Sequence, residues 1–209
     1  MSETFDLNCT RCPRLAQHLS EVRRQFPDYH ARPVPAFGAA KPGLLIVGLA
    51  PGLHGANASG RPFTGDFAGI LLYKALHRFG YGTRPESLSA DDGLKLKKCR
   101  ITNAVKCLPP ENKPIGSEVN NCNDFLAEEL RSLGPRWTVL ALGGIAHKAV
   151  VRALGRRQKD HQFAHAAVHN IDHQQYLVDS YHCSRYNTNT GRLTEEMFFE
   201  VFEKIQGLS

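Results

Sequence analysis

Four cysteines and one glycine-rich loop carry most of the chemistry legible in this 209-residue chain. Cys9 and Cys12 are separated by two residues, the spacing that lets two thiolates point at one metal. Cys107 closes the stretch "CRITNAVKC", and Cys122 lies in "SEVNNCNDFLAEEL", which reads as the opening turns of a helix. These four thiols can converge, and a four-thiolate set suits either tetrahedral zinc or an iron-sulfur cluster. With a single Cys-x-x-Cys pair the spacing leans toward the cluster. Cys99 reads instead as a small buried strand residue. The loop "GLAPGLHGANASGRPFTGD", Gly48 to Asp66, offers close backbone approach at its glycines, a flat apolar face at Phe63 and a carboxylate at Asp66. Such a set can hold a planar ring with a water or a sugar beside it. The bland alternative is that Phe63 fills core and Asp66 caps a helix. A phosphate cradle is disfavoured, because neither a Gly-Lys pair nor G-x-G-x-x-G occurs.

The elements that must position these groups alternate along the chain. "PRLAQHLSEVRRQF" has apolar residues at helical spacing, and "GLLIVGLA" is a short continuous apolar run of the kind that makes a buried strand. "DFAGILLYKALHRFG" is again helical, with Asp66 at its start and Gly80 at its stop. "RITNAVK", "WTVLALG" and "QYLVDS" read as further strands, separated by helices over "SEVNNCNDFLAEELRSLG" and "GIAHKAVVRALG". A terminal helix, "LTEEMFFEVFEKI", is capped by Thr194. Strand and helix in alternation imply parallel strands joined by crossover helices, hence a three-layer α/β/α sandwich in one domain over residues 1–209. Ligands in such folds bind at the carboxyl ends of the strands. That rule marks the glycine loop, the segment after "RITNAVK", the turn at "LGGIAHKA" and "HCSRYNTNTGRLT".

Composition sets the outer limits. Apolar residues make up 42% and charged residues 22%, which argues against long disorder. No apolar run approaches the roughly 20 residues of a membrane helix, and the start carries no secretory pattern, so the expectation is a soluble cytoplasmic protein. An excess of 26 Lys and Arg over 20 Asp and Glu suits a polyanionic partner.

Three ordered stretches, "GLAPGLHGANASGRPFTGD", "RITNAVKCLPP" and "HCSRYNTNTGRLT", together with Cys9, Cys12, Cys107 and Cys122, resemble the iron-sulfur uracil-DNA glycosylases, closest to the broad-specificity family 5 branch. The resemblance spans most of the chain. It implies a four-stranded parallel sheet between helices, and a 4Fe-4S cluster held by Cys9, Cys12, Cys107 and Cys122. The implied activity is removal of uracil, and of hypoxanthine and xanthine, from DNA by hydrolysis of the base-sugar bond. Carried over by motif, Gly48, Ala50, Pro51 and Gly52 border the base, Phe63 stacks on it, Asn103 bonds its Watson-Crick edge and His182 donates to its carbonyl. Many members of the superfamily place Asp or Asn just after the first strand, where this chain has Ala50. Asp66 is therefore expected to orient the water and stabilise the sugar cation, with His54 a weaker candidate. Ser184, Arg185, Tyr186 and Asn187 are expected on DNA, as the loop after a histidine that relatives usually follow with Pro and this chain with Cys183. The chain is expected to act as a monomer without a lyase step. Two other classes remain as expectations to test: a zinc-stabilised nucleic-acid-binding module without catalysis, and a small-molecule α/β hydrolase.

Overall fold

A computed structural model describes residues 6–208. In chain order its elements are α1 (Pro13–Gln25), β1 (Phe37–Gly38), β2 (Leu44–Gly48), α2 (Ala56–Ser59), α3 (Phe67–Arg78), β3 (Cys99–Asn103), α4 (Gly116–Arg131), β4 (Trp137–Leu142), α5 (Gly144–Ala153), β5 (Val168–Asp172), β6 (Gln175–Ser180), α6 (Arg185–Asn189) and α7 (Glu195–Gly207). No helix of the described residues is long and apolar enough to cross a membrane.

The sheet has six strands in the order β1-β3-β2-β4-β6-β5. Its centre is the expected four-stranded parallel set, β3-β2-β4-β6. The expectation of four strands in total is corrected by two antiparallel edges, β1 against β3 and β5 against β6. Both edges lack the apolar run that marks the centre: β1 is two residues long, and β5 alternates exposed with half-buried positions in "VHNID".

Strand residues alternate between two apolar layers, as a period of two requires. Leu44, Ile46, Ile101, Leu140 and Val178 pack with residues of α3 and α7. Leu45, Val47, Val139, Ala141 and Leu177 face the opposite layer, built from α4 and α5. Helix α1 lies outside this sandwich, placing Leu19 and Val22 against Ala31 and Leu108. Thr194 caps α7 as expected, its side chain accepting from Met197 N. Cys99 is fully buried in the first layer, as a small apolar residue, and Cys183 joins the same layer.

One polar pair is sealed inside the second face. Lys106 donates to Glu129 Oε1 at 2.5 Å, both side chains are almost wholly buried, and Thr102 bonds each of them. It ties the end of β3 to α4, the two elements that carry Asn103 and Cys122.

Candidate active site

The carboxyl ends of β2, β3 and β6 open on one cleft, with about 1080 Å³ of empty space reaching solvent. It flanks the place where strand order reverses, β3 on one side of β2 and β4 on the other, the usual ligand position in open α/β sheets. Ala50, Gly52, Phe63, Asp66, Asn103, His182, Ser184 and Arg185 all line it. Three stretches far apart in sequence are thus brought together as expected.

The glycines of the first loop are explained by what a Cβ would strike. At Gly48 it would lie 2.4 Å from Asn103 Oδ1 and 2.6 Å from Phe63. At Gly52 and Gly55 it would lie 2.6 Å and 1.9 Å from the Asp66 carboxylate. The loop is open because the side chains of the cleft occupy the space. Phe63 itself sits in the left-handed region at φ 57, a conformation costly for an aromatic residue.

Phe63 is buried, and its ring lies 6.1 Å from that of His182 at an interplanar angle of 30°. Asn103 is 2% exposed, and its Oδ1 has no hydrogen-bond partner among the described residues. A buried acceptor left so costs about 1–3 kcal/mol, which a bound donor would recover. Asp66 occupies the cap position of α3 but does not cap that helix; its Oδ2 instead accepts from Ala56 N of α2 at 3.0 Å. Burial raises the Asp66 pKa above the ordinary carboxylate value, opposed by that single backbone bond.

Burial pushes the His182 imidazole down to about 4, although one side of the ring keeps some contact with the cleft. The ring is therefore neutral at pH 7. Between its ordinary value of 6.5 and about 4 the unfolded chain takes up a proton that the folded chain refuses. The contribution to stability is complete above that window and is lost as pH falls through it. His182→Gln is expected to flatten the melting temperature against pH across this interval; an unchanged slope would mean the ring is not desolvated.

The loop after β6 divides its expected DNA contacts. Ser184 caps α6, accepting from Asn187 N. Arg185 is exposed and holds its guanidinium 4.9 Å over the Phe67 ring at the cleft mouth, and Tyr186 is 72% exposed. Asn187 donates from Nδ2 to the His182 carbonyl at 2.8 Å, which ties its amide to the histidine loop. Pro51 is buried behind the cleft rather than lining it, and His54 bonds Tyr29 Oη away from the cleft.

Sequence reasoning missed two participants. Asn112 lines the cleft from a turn in which Glu111 and Asn112 both take positive φ, in the proline-flanked stretch "PPENKP". Arg61, 5% exposed, ties the first loop to residues 87–92 through Ser87, Asp92 and the Ser89 and Ala90 carbonyls. Only the prolines signalled the first, and nothing local signalled the second.

The cysteines form a separate group. Cys9, Cys12, Cys107 and Cys122 line one small cavity, with Leu15, Pro33 and Phe125 among its apolar walls, and none is in a disulfide. Arg14 clamps Glu118 with two 2.8 Å bonds, joining the helix that follows Cys12 to the helix that carries Cys122. Lys106 N points at Cys122 Sγ at 3.3 Å and Asn121 Nδ2 at Cys12 Sγ at 3.6 Å. Burial raises the thiol pKa of Cys12, Cys107 and Cys122, and neighbouring sulfurs push the same way.

Comparison with known proteins follows the same lines. Residues 35–206 match the profile of the Uracil DNA glycosylase superfamily. The chain is 45% identical to a type-5 uracil-DNA glycosylase of Thermus thermophilus, over 96% of this chain and 94% of that one. It is 44% identical to a type-5 uracil-DNA glycosylase of Pyrobaculum aerophilum, over 95% and 88%. A type-4 uracil-DNA glycosylase of Pyrobaculum aerophilum is 36% identical over 72% of this chain and 63% of its own. On the match across residues 35–206 and the near full-length likeness to type-5 enzymes, this chain belongs to the Uracil DNA glycosylase superfamily, in its family 5 branch.

Proposed function

We propose that this chain is a monofunctional DNA glycosylase that swings uracil out of DNA and hydrolyses its bond to the sugar, leaving an abasic site for repair. The observation that carries the reading is the buried amide of Asn103, its Oδ1 without a partner, on the same cleft as the Phe63 ring and the neutral His182. Extracting a base costs about a few kcal/mol. Stacking on an aromatic face such as Phe63 returns about 1–3 kcal/mol of that. An amide presents a donor and an acceptor side by side, so Asn103 can accept from the uracil N3–H and donate to the adjacent carbonyl.

As the C1′–N1 bond breaks, its electron pair leaves with the base and charge collects on the base oxygens. A neutral imidazole N–H fixed against such an oxygen is worth about 3–4 kcal/mol, on the scale of one oxyanion-hole donor. The sugar meanwhile takes on oxocarbenium character. The Asp66 carboxylate, held between Gly52, Gly55 and Ala56 N, faces that cation and orients the water whose oxygen bonds C1′, accepting the proton that the water gives up and that the base anion takes up on release. With Ala50 at the cleft wall in place of a longer polar residue, the space admits a purine, so hypoxanthine and xanthine are proposed as further substrates. Ser184, Arg185 and Tyr186 are proposed to meet DNA beside the cleft, supported by the exposure of Arg185 and Tyr186, and residues 1–209 are proposed to act as one monomeric unit.

The donor set of the cysteine cavity supports a 4Fe-4S cluster as its guest: four thiols, none in a disulfide, gathered on one cavity from three separate segments. When bound, the cluster would clamp the amino-terminal turn, the segment after β3 and α4, a structural task without electron transfer. Cys107→Ser or Cys122→Ser is expected to purify without the brown colour and with most of its iron lost; wild-type protein carrying zinc and no iron would overturn the assignment.

The activity is tested by incubating iron-replete protein with duplexes bearing one uracil, hypoxanthine or xanthine, then treating with alkali. Strand breaks at the altered base and not at thymine are expected. Intact strands in every duplex would refute the proposal, and breaks at uracil alone would refute the role given to Ala50.

A further inference from the structure

A second polar cluster sits near the end of β6, apart from the groups that line the cleft. Asp179 is fully buried, and its two oxygens are shared between two imidazoles. His147 Nδ1 lies 2.7 Å from Oδ1, and His169 Nε2 lies 2.9 Å from Oδ2. His147 comes from the first turns of α5 and is 1% exposed, while His169 comes from the edge strand β5 and keeps 13% of its side chain open to solvent. The three ligand atoms lie within 4.8 Å of one another, drawn from three different elements.

The outer nitrogen of His147 decides what belongs between them. Nε2 lies 2.8 Å from the His161 carbonyl oxygen, which can only accept, so Nε2 carries a proton. In a neutral ring that leaves a lone pair on Nδ1, aimed at a carboxylate oxygen that also carries lone pairs. Something electropositive must therefore lie between them: a second proton, which the 2.7 Å separation admits as it stands, or a metal ion, whose bonds of about 2.0 Å would part the two atoms to about 3.3 Å. A ring N–H given to a backbone carbonyl is the arrangement by which proteins fix the tautomer of a metal-bound histidine. Two imidazoles and one carboxylate are a donor set suited to zinc, with water completing the tetrahedron.

We propose that His147 Nδ1, His169 Nε2 and the Asp179 carboxylate bind one zinc ion, separate from the cysteine centre. The ion enters from the side where His169 is open. It ties β5, β6 and α5 together directly behind the histidine loop: Asp179 precedes His182 by three residues, and a Cβ on Gly143, before α5, would lie 3.4 Å from His182 Cβ. The site holds the floor of that loop and takes no part in bond breaking.

The test uses iron-replete protein titrated with zinc chloride in a calorimeter, with zinc and iron counted per chain after desalting. One zinc per chain at micromolar or tighter affinity is expected, with iron unchanged and the melting temperature raised. His169→Gln, at the open edge of the cluster, is expected to keep its iron and its fold, weaken zinc binding at least tenfold and abolish the thermal shift. Absence of zinc binding in the wild type would overturn the proposal, because a second proton then fills the space. Equal zinc binding by His169→Gln would also overturn it, by placing the metal elsewhere. Neither outcome touches uracil release, which is measured without added zinc.

Discussion

Asp66→Asn is expected to lower the single-turnover rate of uracil release by about a hundredfold or more while leaving DNA affinity and melting temperature close to wild type. The amide keeps the volume that Gly52 and Gly55 leave free and can still accept from Ala56 N, so the α2 contact survives. What is lost is the negative charge facing the sugar. A group that acts only as charge develops should affect the chemical step and spare binding. The pH profile gives a second reading. Burial raises the Asp66 pKa, so the rate should fall with decreasing pH at a point above the ordinary carboxylate value, as the charge is neutralised. Asp66→Asn should show its low rate without that limb. A wild-type rate in the variant, or a limb that persists in it, would move the catalytic role to another group.

Gly48→Ala is expected to reduce kcat/KM by about a hundredfold to a thousandfold, from one added methyl. That methyl would meet Asn103 Oδ1 at 2.4 Å and the Phe63 ring at 2.6 Å, contacts that cannot persist. The β2 backbone has no positive φ at this position, so alanine is not excluded by the strand itself. The amide and the ring must move instead. Losing a stacked base forfeits about 1–3 kcal/mol. A displaced buried hydrogen bond forfeits about another 1–3 kcal/mol. Parallel measurement of Gly116→Ala, where nothing lies within 4 Å of an added Cβ, gives the baseline for a glycine change in the same fold. If Gly48→Ala and Gly116→Ala behave alike, the crowding does not govern base recognition.

The parallel centre of the fold was legible because "LLIVG" and "WTVLAL" are buried on both faces and so, Thr138 apart, carry no polar residue to blur the pattern. The edges were not. In β5 only Val168 and Ile171 are apolar, and Val168 is 41% exposed, so the strand is fixed by its pairing with β6 rather than by its own composition. Phe63 and Asp66 were legible from the chemistry of the first loop, and Asn103 and His182 through motif resemblance, but the reason for the loop's glycines appeared only with the side chains that crowd them. Asn187 was expected on DNA, and its bond to the His182 carbonyl, set by loop geometry, could not be read along the chain. The trio of residues 147, 169 and 179 has no signature along the chain, since three elements distant in sequence supply one ligand each.

The left-handed backbone at Phe63 carries a wider consequence. Such a conformation costs a non-glycine residue about 1–3 kcal/mol. The fold offsets it by burying the ring in the first apolar layer. Relieving the strain with glycine would not harden the chain, because emptying a buried aromatic position costs about 3–5 kcal/mol, more than the strain returned. Engineering for durability should therefore hold that residue fixed and look for its gains far from the first loop.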